Sequence, residues 1–278
     1  MIFQFIQEPF QYAFMQKAFI GIILASINCA AIGSYVVIRR MAFFGEALTH
    51  TLLPGIVFAY LRGIHLFWGA LSASILTALG IGLLTSHKEL RQDTAIGVVL
   101  SLMFAIGIMM MGIVRSFRDF SSILFGSILG VTSGDILLTG SITLIVIFSL
   151  FLLYKELELS SFDYNYAKLI RIKPTLLRYI ILLLTALSVV SAVQMLGALL
   201  TTALLITPAA AAALIARTFF SLMLFSIIFA IFAGVLGLYL SFYFQISSGA
   251  TIVVICSTIF ITIWIFKVFY NRWQSSQK

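Results

Sequence analysis

An acidic residue and a histidine lie one helical turn apart in the segment GEALTHTLLPG, at residues 45–55. Glu46 and His50 are four positions apart, so on a helix their side chains project from the same face. A carboxylate oxygen and a neutral imidazole nitrogen together suit a divalent cation such as manganese, iron or zinc. Pro54 has no N–H, so a helix that runs through it leaves the carbonyl oxygen of His50 without its usual donor. The segment predicts a metal-binding face formed by Glu46 and His50, with a free backbone oxygen beside them.

The composition places this segment in a membrane protein. The chain has 278 residues, of which 62% are hydrophobic and only 9% are charged, whereas a soluble domain carries about 25% charged residues. So few charged residues cannot form a surface that faces water, so the chain must be surrounded by lipid. The net charge of +8 does not indicate a nucleic-acid partner, because the basic residues lie between apolar runs and form no patch.

Apolar runs of about 20 residues, enough to cross a bilayer as helices, make up most of the chain. The run at 176–216 is too long for one crossing and is predicted to form two helices with a hairpin near Gln194. The predicted fold class is an all-α polytopic membrane protein, a single-domain bundle of nine transmembrane helices over residues 1–278, or eight if one run is re-entrant. Residues 121–131 are too short to span and lie along the surface or dip into the membrane. The other predicted spans lie near 13–38, 43–61, 66–85, 94–114, 135–153, 220–240 and 249–267.

The distribution of Lys and Arg predicts the orientation. With nine crossings, thirteen of the 17 Lys and Arg residues fall on one side, and only Lys17, Arg62, Arg115 and Arg118 fall on the other. The positive side is expected to be cytoplasmic, which puts the N-terminus outside and the C-terminus inside. The polar segment 154–175 then lies on the cytoplasmic side, either as an amphipathic helix that docks onto a partner or as a solvated connecting loop.

Glu46 and His50 also have structural explanations. Glu46 lies six residues after Arg40 and could pair with Arg39 or Arg40, and His50 could be a neutral core histidine bonded to a carbonyl oxygen. Ionisable residues are rare within spans and usually functional there, which favours the metal-binding interpretation. Two ligands do not complete a metal site, but a transport site needs only a partial one, since the ion must also leave.

The remaining candidates are weaker. His65 and His87 are predicted to be solvated loop residues, and Pro208 predicts either a kink or a broken helix that lines a pathway. Cys29 and Cys256 fall within predicted spans and are expected to pack as small apolar groups.

Two motifs are absent from the sequence. No G-x-x-x-x-G-K-[ST] occurs, so the chain lacks a P-loop for ATP, and no H-E-x-x-H occurs, which argues against a zincin-type protease. No nucleophile–base pair points to an enzyme either.

Five segments resemble, in order, those of the membrane permease subunits of metal-specific ABC importers, the ABC-3 type. VIRRMAFFGEALTHTLLPGI is similar to the family segment in which a basic residue and a methionine precede G-D-A-[IL]-S-H-[AS]-x-L-P-G. QDTAIGVVLS, SSILFGSILGVTSGD, LLITPAAAAALIA and SSGATIVV also resemble family segments, and together the five cover roughly residues 36–255. The resemblance therefore extends over most of the chain.

The resemblance implies a permease that carries a divalent metal, manganese first with zinc or iron as alternatives, and binds no permanent cofactor. Two permease copies, here a homodimer, are expected to pair with two cytoplasmic ATP-binding subunits, while an external metal-binding solute-binding protein delivers the metal. Glu46 and His50 match the family's Asp and His, which line the metal path, and residues 156–174 match its ATPase-coupling region. The other partner is membrane lipid, in a bacterial inner membrane or, for an algal source, a plastid membrane.

The chain departs from the family pattern at two positions of this segment. Glu46 stands where Asp is commoner, and its extra methylene moves the carboxylate outward by about one bond length; Thr49 replaces a usual Ser. These changes leave open which metal is carried.

A stand-alone secondary transporter or channel for cations is the alternative function, and it would move metal without an ATPase.

Overall fold

The computed structural model describes residues 8–85, 91–114 and 128–275, and all regular structure within these ranges is helical. Two 3₁₀ turns, Glu8–Gln11 and Ile128–Gly130, accompany the α-helices. We number the α-helices in chain order: α1 (Ala13–Ile38), α2 (Ala42–Thr51), α3 (Leu53–Arg62), α4 (Leu66–Leu84), α5 (Gln92–Val114), α6 (Ser133–Leu152), α7 (Tyr154–Phe162), α8 (Tyr164–Leu169), α9 (Pro174–Leu196), α10 (Ala198–Ile215), α11 (Phe219–Phe244) and α12 (Ser248–Ser275).

Nine helical stretches in the described ranges are long and apolar enough to cross a membrane. The helices α2 and α3 together form the second stretch, and α7 and α8 are too short to form one. This confirms the predicted all-α polytopic class, with nine spans rather than eight. Of the segment 121–131, residues 121–127 lie outside the described chain, and Ile128 is buried in the short turn Ile128–Gly130.

The long apolar run at 176–216 divides at Gly197, three residues after the predicted hairpin position at Gln194. Gly197 has φ 86° and ψ 166°, a backbone conformation that is open essentially to glycine alone. The helix α10 continues through Pro208. Of the two interpretations of this proline, the broken helix is therefore wrong.

The first span, α1, is the central helix of the bundle and packs against α6, α9, α10 and α11. The side chain of Asn28, in the middle of this helix, is satisfied inside the bundle. The amide nitrogen of Asn28 donates to Ser191 Oγ at 3.3 Å, and the hydroxyl of Ser188 donates to Asn28 Oδ1 at 2.9 Å. Close packing depends on Gly33, where a Cβ would collide with the carbonyl oxygen of Leu205 in α10.

A fixed turn joins α1 to α2. Arg40 has φ 56°, and the backbone N–H groups of Arg40 and Met41 donate to the carbonyl oxygens of Val37 and Val36 at 3.0 and 2.8 Å. This is the Schellman arrangement, normally built on glycine. A non-glycine residue in this conformation costs about 1 kcal/mol or more, so the surrounding contacts must impose the turn.

The polar segment at 154–175 forms two short helices, α7 and α8, rather than one. Leu157 in α7 and Ala167 in α8 are fully buried. The side chain of Asp163 accepts the backbone N–H of Tyr166 at 2.9 Å, which caps α8 and explains why the helix restarts there. The helical part of the first interpretation is thereby confirmed, with two helices in place of one, while docking of this segment onto a partner stays a prediction.

Candidate metal site

The second span places Glu46 and His50 on one face of α2. Glu46 is exposed on the surface of the single chain, and His50 is half-buried one turn further along. The expected helical spacing of the two residues is therefore present. Both side chains lie at the edge of the bundle rather than in its centre.

The opposite face of α2 explains this orientation. Ala47, Leu48 and Thr49 are fully buried, and a Cβ at Gly45 would collide with the Leu205 side chain of α10. The hydroxyl of Thr49 donates to the carbonyl oxygen of Glu46 at 2.7 Å, so it is satisfied within the helix. Because this apolar and small-residue face fixes α2 against the bundle, the face that carries Glu46 turns outward.

The helix is interrupted at Leu52, between His50 and Pro54. Pro54 lies in the first turn of α3, where a backbone N–H would have no partner within the helix, so its absence costs no hydrogen bond. The backbone N–H of Leu52, only two residues further on, is directed to the carbonyl oxygen of His50, but two residues this close along a helical turn do not form a hydrogen bond of good geometry. The free carbonyl oxygen at His50 therefore stays a prediction.

The fifth helix, α5, forms a wall beside this break. The ring of Phe104 meets the imidazole of His50 edge to face, with centroids 6.0 Å apart and planes at 80°. One turn later, a Cβ at Gly107 would approach Leu53 to 2.6 Å and Pro54 to 3.1 Å. The small Gly107 lets α5 lie against the break, and Phe104 restricts the imidazole of His50.

The neighbouring arginines do not neutralise Glu46 in this structure. Arg39 instead donates from Nε to Ser161 Oγ at 2.9 Å and from Nη2 to Ser160 Oγ at 2.8 Å. Within the described ranges, no ion pair joins Glu46 to Arg39 or Arg40. The Glu46 carboxylate is therefore available to a ligand.

The described part of the chain does not bring together a complete set of metal ligands. Across the described residues, no group of three or more His, Cys, Asp or Glu side chains is close enough to hold a metal ion. Glu46 and His50 are therefore predicted to be two ligands of a site that must also release its ion. Any further ligands have to come from outside the described His, Cys, Asp and Glu side chains.

The other histidines and the cysteines do not join this face. His65 caps α4 by accepting the backbone N–H of Phe67 on Nδ1 at 3.3 Å, so its prediction as a merely solvated loop residue misses a structural role. His87 lies outside the described residues. Cys29 and Cys256 are both buried as free thiols, in agreement with the prediction.

Sequence reasoning missed Phe104 and Gly107. Both lie in an apolar run whose composition carries no sign of contact with the second span. Their spacing of three does place them on one helix face, and this is the only signal that the sequence offers.

Comparisons with known proteins agree with this architecture. The model of the ABC 3 transport family matches residues 11–267. The chain is 38% identical over 262 residues to the manganese transport system membrane protein MntC of Listeria monocytogenes, covering 94% of each. It is 34% identical over 267 residues to the chelated iron transport system membrane protein YfeD of Yersinia pestis, covering 96% of this chain and 90% of that protein.

A solved structure shares the fold. PsaBC from Streptococcus pneumoniae, in complex with Fab, contains a chain with a TM-score of 0.84 and 32% identity, covering 95% of both chains. The family model and the two relatives each match nearly the whole length, which no local motif could produce. The chain therefore belongs to the ABC 3 transport family.

Proposed function

We propose that this chain is the membrane-spanning permease subunit of an ABC importer for a divalent transition metal, with Glu46 and His50 on the metal path. Manganese is the first candidate, and zinc and iron are the alternatives. The names of the manganese and chelated-iron relatives support this choice of substrate. The observation that carries the proposal is the exposed carboxylate of Glu46, one turn from His50 on a membrane-spanning segment, with no ion pair to it in the described chain.

The energy for transport is proposed to come from a separate cytoplasmic ATP-binding subunit. The sequence has no P-loop, and α7 and α8 lie on the predicted cytoplasmic side. Four large apolar side chains on or beside these helices are about half exposed or more: Phe162, Tyr166, Leu169 and Ile170. An apolar surface of this kind on a short helical segment suits a protein partner, and we assign it to the ATP-binding subunit.

A second copy of the permease is proposed to complete the metal path. The helix α5 packs against α2, α3 and α4, and its outer face carries Gly97, Ser101 and Ala105 at intervals of four. A Cβ at Gly97 would meet nothing within 4 Å in this chain. Small residues at this spacing let two membrane helices approach closely. Because Glu46 is exposed beside this helix, pairing of two copies would enclose the acid and supply further ligands.

The proposed direction of transport is inward. An external solute-binding protein delivers the metal, the ion contacts Glu46 and His50, and it leaves when the helices change between outward- and inward-open arrangements. Irving–Williams ordering favours zinc over manganese at a site of this type, so selectivity must come from geometry or from the delivery protein. The membrane is proposed to be a bacterial inner membrane; the two curated relatives named above are bacterial and do not support the plastid alternative.

Uptake of radiolabelled manganese and zinc by cells expressing the chain tests the proposal. With the ATP-binding subunit and the delivery protein present, we expect accumulation of metal, and without the ATP-binding subunit we expect none. His50→Gln should lower accumulation strongly while the protein still inserts. The matched control is His65→Asn, which also removes an imidazole but keeps a side-chain acceptor at the start of α4.

Two results would contradict the proposal. Metal movement by the chain alone would indicate the secondary transporter or channel instead. Equal losses in His50→Gln and His65→Asn would show that the imidazole at position 50 has no special part in transport.

A further inference from the structure

The side chain of Arg39 connects the turn before the metal-site helix to the cytoplasmic segment. Arg39 directly follows α1, two residues before Met41, which precedes α2. Its guanidinium reaches the last turn of α7, where Nε donates to Ser161 Oγ and Nη2 donates to Ser160 Oγ at 2.9 and 2.8 Å. The residues joined are more than 120 positions apart in sequence. This is a direct link between the first membrane hairpin and the segment that faces the ATP-binding subunit.

The serines are themselves fixed to their helix. The hydroxyl of Ser161 donates to the carbonyl oxygen of Leu157 at 2.6 Å, and that of Ser160 donates to the same oxygen at 3.2 Å. A hydroxyl has one proton to donate and two lone pairs to accept with, so each serine uses its proton on α7 and its lone pair on Arg39. The guanidinium is thus held by α7 as a rigid unit.

The environment of Arg39 makes these two hydrogen bonds important. Burial, together with the nearby charge of Arg178, lowers the pKa of Arg39 to about 10, so the side chain stays charged at neutral pH. No carboxylate within the described part of the chain pairs with it. Hydrogen bonds from a charged donor are stronger than those between neutral groups, and Arg39 is partly buried. Arg39 should therefore follow α7 when α7 moves.

The turn that follows Arg39 passes such a movement to α2. Arg40 and Met41 close the Schellman turn described above, so the backbone there is fixed. Met41 and Phe44 are buried, at 3% and 0% exposure, which couples the start of α2 to its neighbours. Glu46 and Phe44 lie on the same short helix, α2, which begins directly after Met41 and ends at Thr51, before the break at Leu52.

A buried hydroxyl group without a hydrogen-bond partner lies close to Arg39. The hydroxyl oxygen of Tyr35, one turn before Arg39, is fully buried and has no hydrogen-bond partner among the described residues. Its ring packs on Phe219 with centroids 4.5 Å apart, and the ring of Tyr154 in α7 contacts the same Phe219 with centroids 6.0 Å apart. Buried hydroxyls are normally paired, so this conformation leaves Tyr35 a partner to gain when α7 shifts.

We propose that Arg39, held by Ser160 and Ser161, is the positioning residue that transmits movement of α7 to α2 and thereby to Glu46 and His50. This inference rests on the proposed function, because it assumes that an ATP-binding subunit moves α7. It assigns a transport role to three residues that do not contact the metal.

The test is the ratio of metal transported to ATP hydrolysed in the complete complex, reconstituted in proteoliposomes with the ATP-binding subunit, delivery protein and manganese. Ser160→Ala with Ser161→Ala should leave ATP hydrolysis and complex assembly near the wild-type level and lower the ratio about tenfold. Arg39→Lys, which keeps the charge but loses the forked geometry, should lower it in the same way. The control is Arg40→Lys, the same substitution at the neighbouring exposed arginine, which keeps a Cβ at the left-handed position and leaves the turn constrained; its ratio should be that of the wild type.

An unchanged ratio in both Arg39→Lys and the double serine variant overturns the inference. A parallel fall of transport and hydrolysis in both also overturns it, since that result indicates a merely structural contact. The proposed function is judged separately, by the wild-type complex: if it hydrolyses ATP without moving metal, the proposed function fails whatever the variants do.

Discussion

Two sets of polar side chains lie within the spans, and they relate to the chain in opposite ways. Asn28, Ser188 and Ser191 are buried between α1 and α9 and bond to one another. Glu46 is exposed and His50 half-buried, and in the described structure their side chains have neither an ion pair nor a hydrogen bond. Polar groups that satisfy one another hold the bundle together, whereas polar groups left open at its edge are available to a ligand. The polarity of a residue within a span therefore does not by itself identify a site.

The largest effect should follow from removing both open side chains. Glu46→Gln with His50→Gln should lower manganese uptake roughly a hundredfold, because both charged or basic ligands are replaced by weak ones. The unfolding temperature in detergent should stay at the wild-type value, since neither side chain supports the fold. Uptake per inserted protein and thermal unfolding measure the two effects. A large fall in stability would show that Glu46 and His50 support the fold, as Asn28, Ser188 and Ser191 do.

A methyl group added at a glycine should have different effects in the interior of the bundle and on the outer face of α5. A Cβ at Gly55 would collide with the carbonyl oxygen of Gly69, so Gly55→Ala should destabilise the chain by about 1–3 kcal/mol. Gly97→Ala should leave the single chain as stable as the wild type and weaken the pairing of two copies. Thermal unfolding and the fraction of dimer at a fixed detergent concentration measure the two outcomes. If Gly97→Ala leaves the dimer intact, α5 is not the pairing surface.

Substitution of the buried polar residues Asn28, Ser188 and Ser191 should change the stability of the protein but not its transport rate. Asn28→Leu removes the hydrogen bonds to Ser188 and Ser191, and hydrogen bonds between membrane helices contribute about 1 kcal/mol. We expect a lower unfolding temperature and an unchanged rate of uptake for each inserted molecule. A specific loss of uptake at normal stability would place Asn28 on the metal path and remove the distinction between the two sets.

The smallest effect concerns the wall of the site. Phe104→Leu keeps an apolar side chain but removes the ring that meets His50 edge to face, a contact worth about 0.5–1.5 kcal/mol. Uptake should fall about threefold through a weaker apparent affinity for metal, with the maximal rate unchanged. Initial rates over a range of manganese concentrations give the apparent affinity and the maximal rate separately. A loss confined to the maximal rate would assign Phe104 to the movement of the helices instead.

The sequence was sufficient for most of the fold because span length and hydropathy are local properties. The nine spans and the hairpin near Gln194 follow from run lengths, since lipid leaves the backbone few alternatives to helices. The division of 154–175 into α7 and α8 did not follow, because it depends on the single cap at Asp163. The continuity of α10 through Pro208 did not follow either, because tertiary packing decides whether a proline ends a helix.

The candidate site was predictable in its residues but not in its surroundings. The four-residue spacing of Glu46 and His50 fixes their common face as soon as the segment is helical. The contact of His50 with Phe104 and the link from Arg39 to Ser160 and Ser161 join distant parts of the sequence. No local pattern encodes such contacts, since they arise only when the helices pack.

The most direct test of the account is whether bound manganese is coordinated by the imidazole at position 50. Pulsed electron paramagnetic resonance on Mn²⁺ bound to the purified protein detects nitrogen nuclei in direct coordination. We predict a nitrogen coupling in the wild type and in His65→Asn, and its loss in His50→Gln. A nitrogen coupling that persists unchanged in His50→Gln would contradict the proposed metal path.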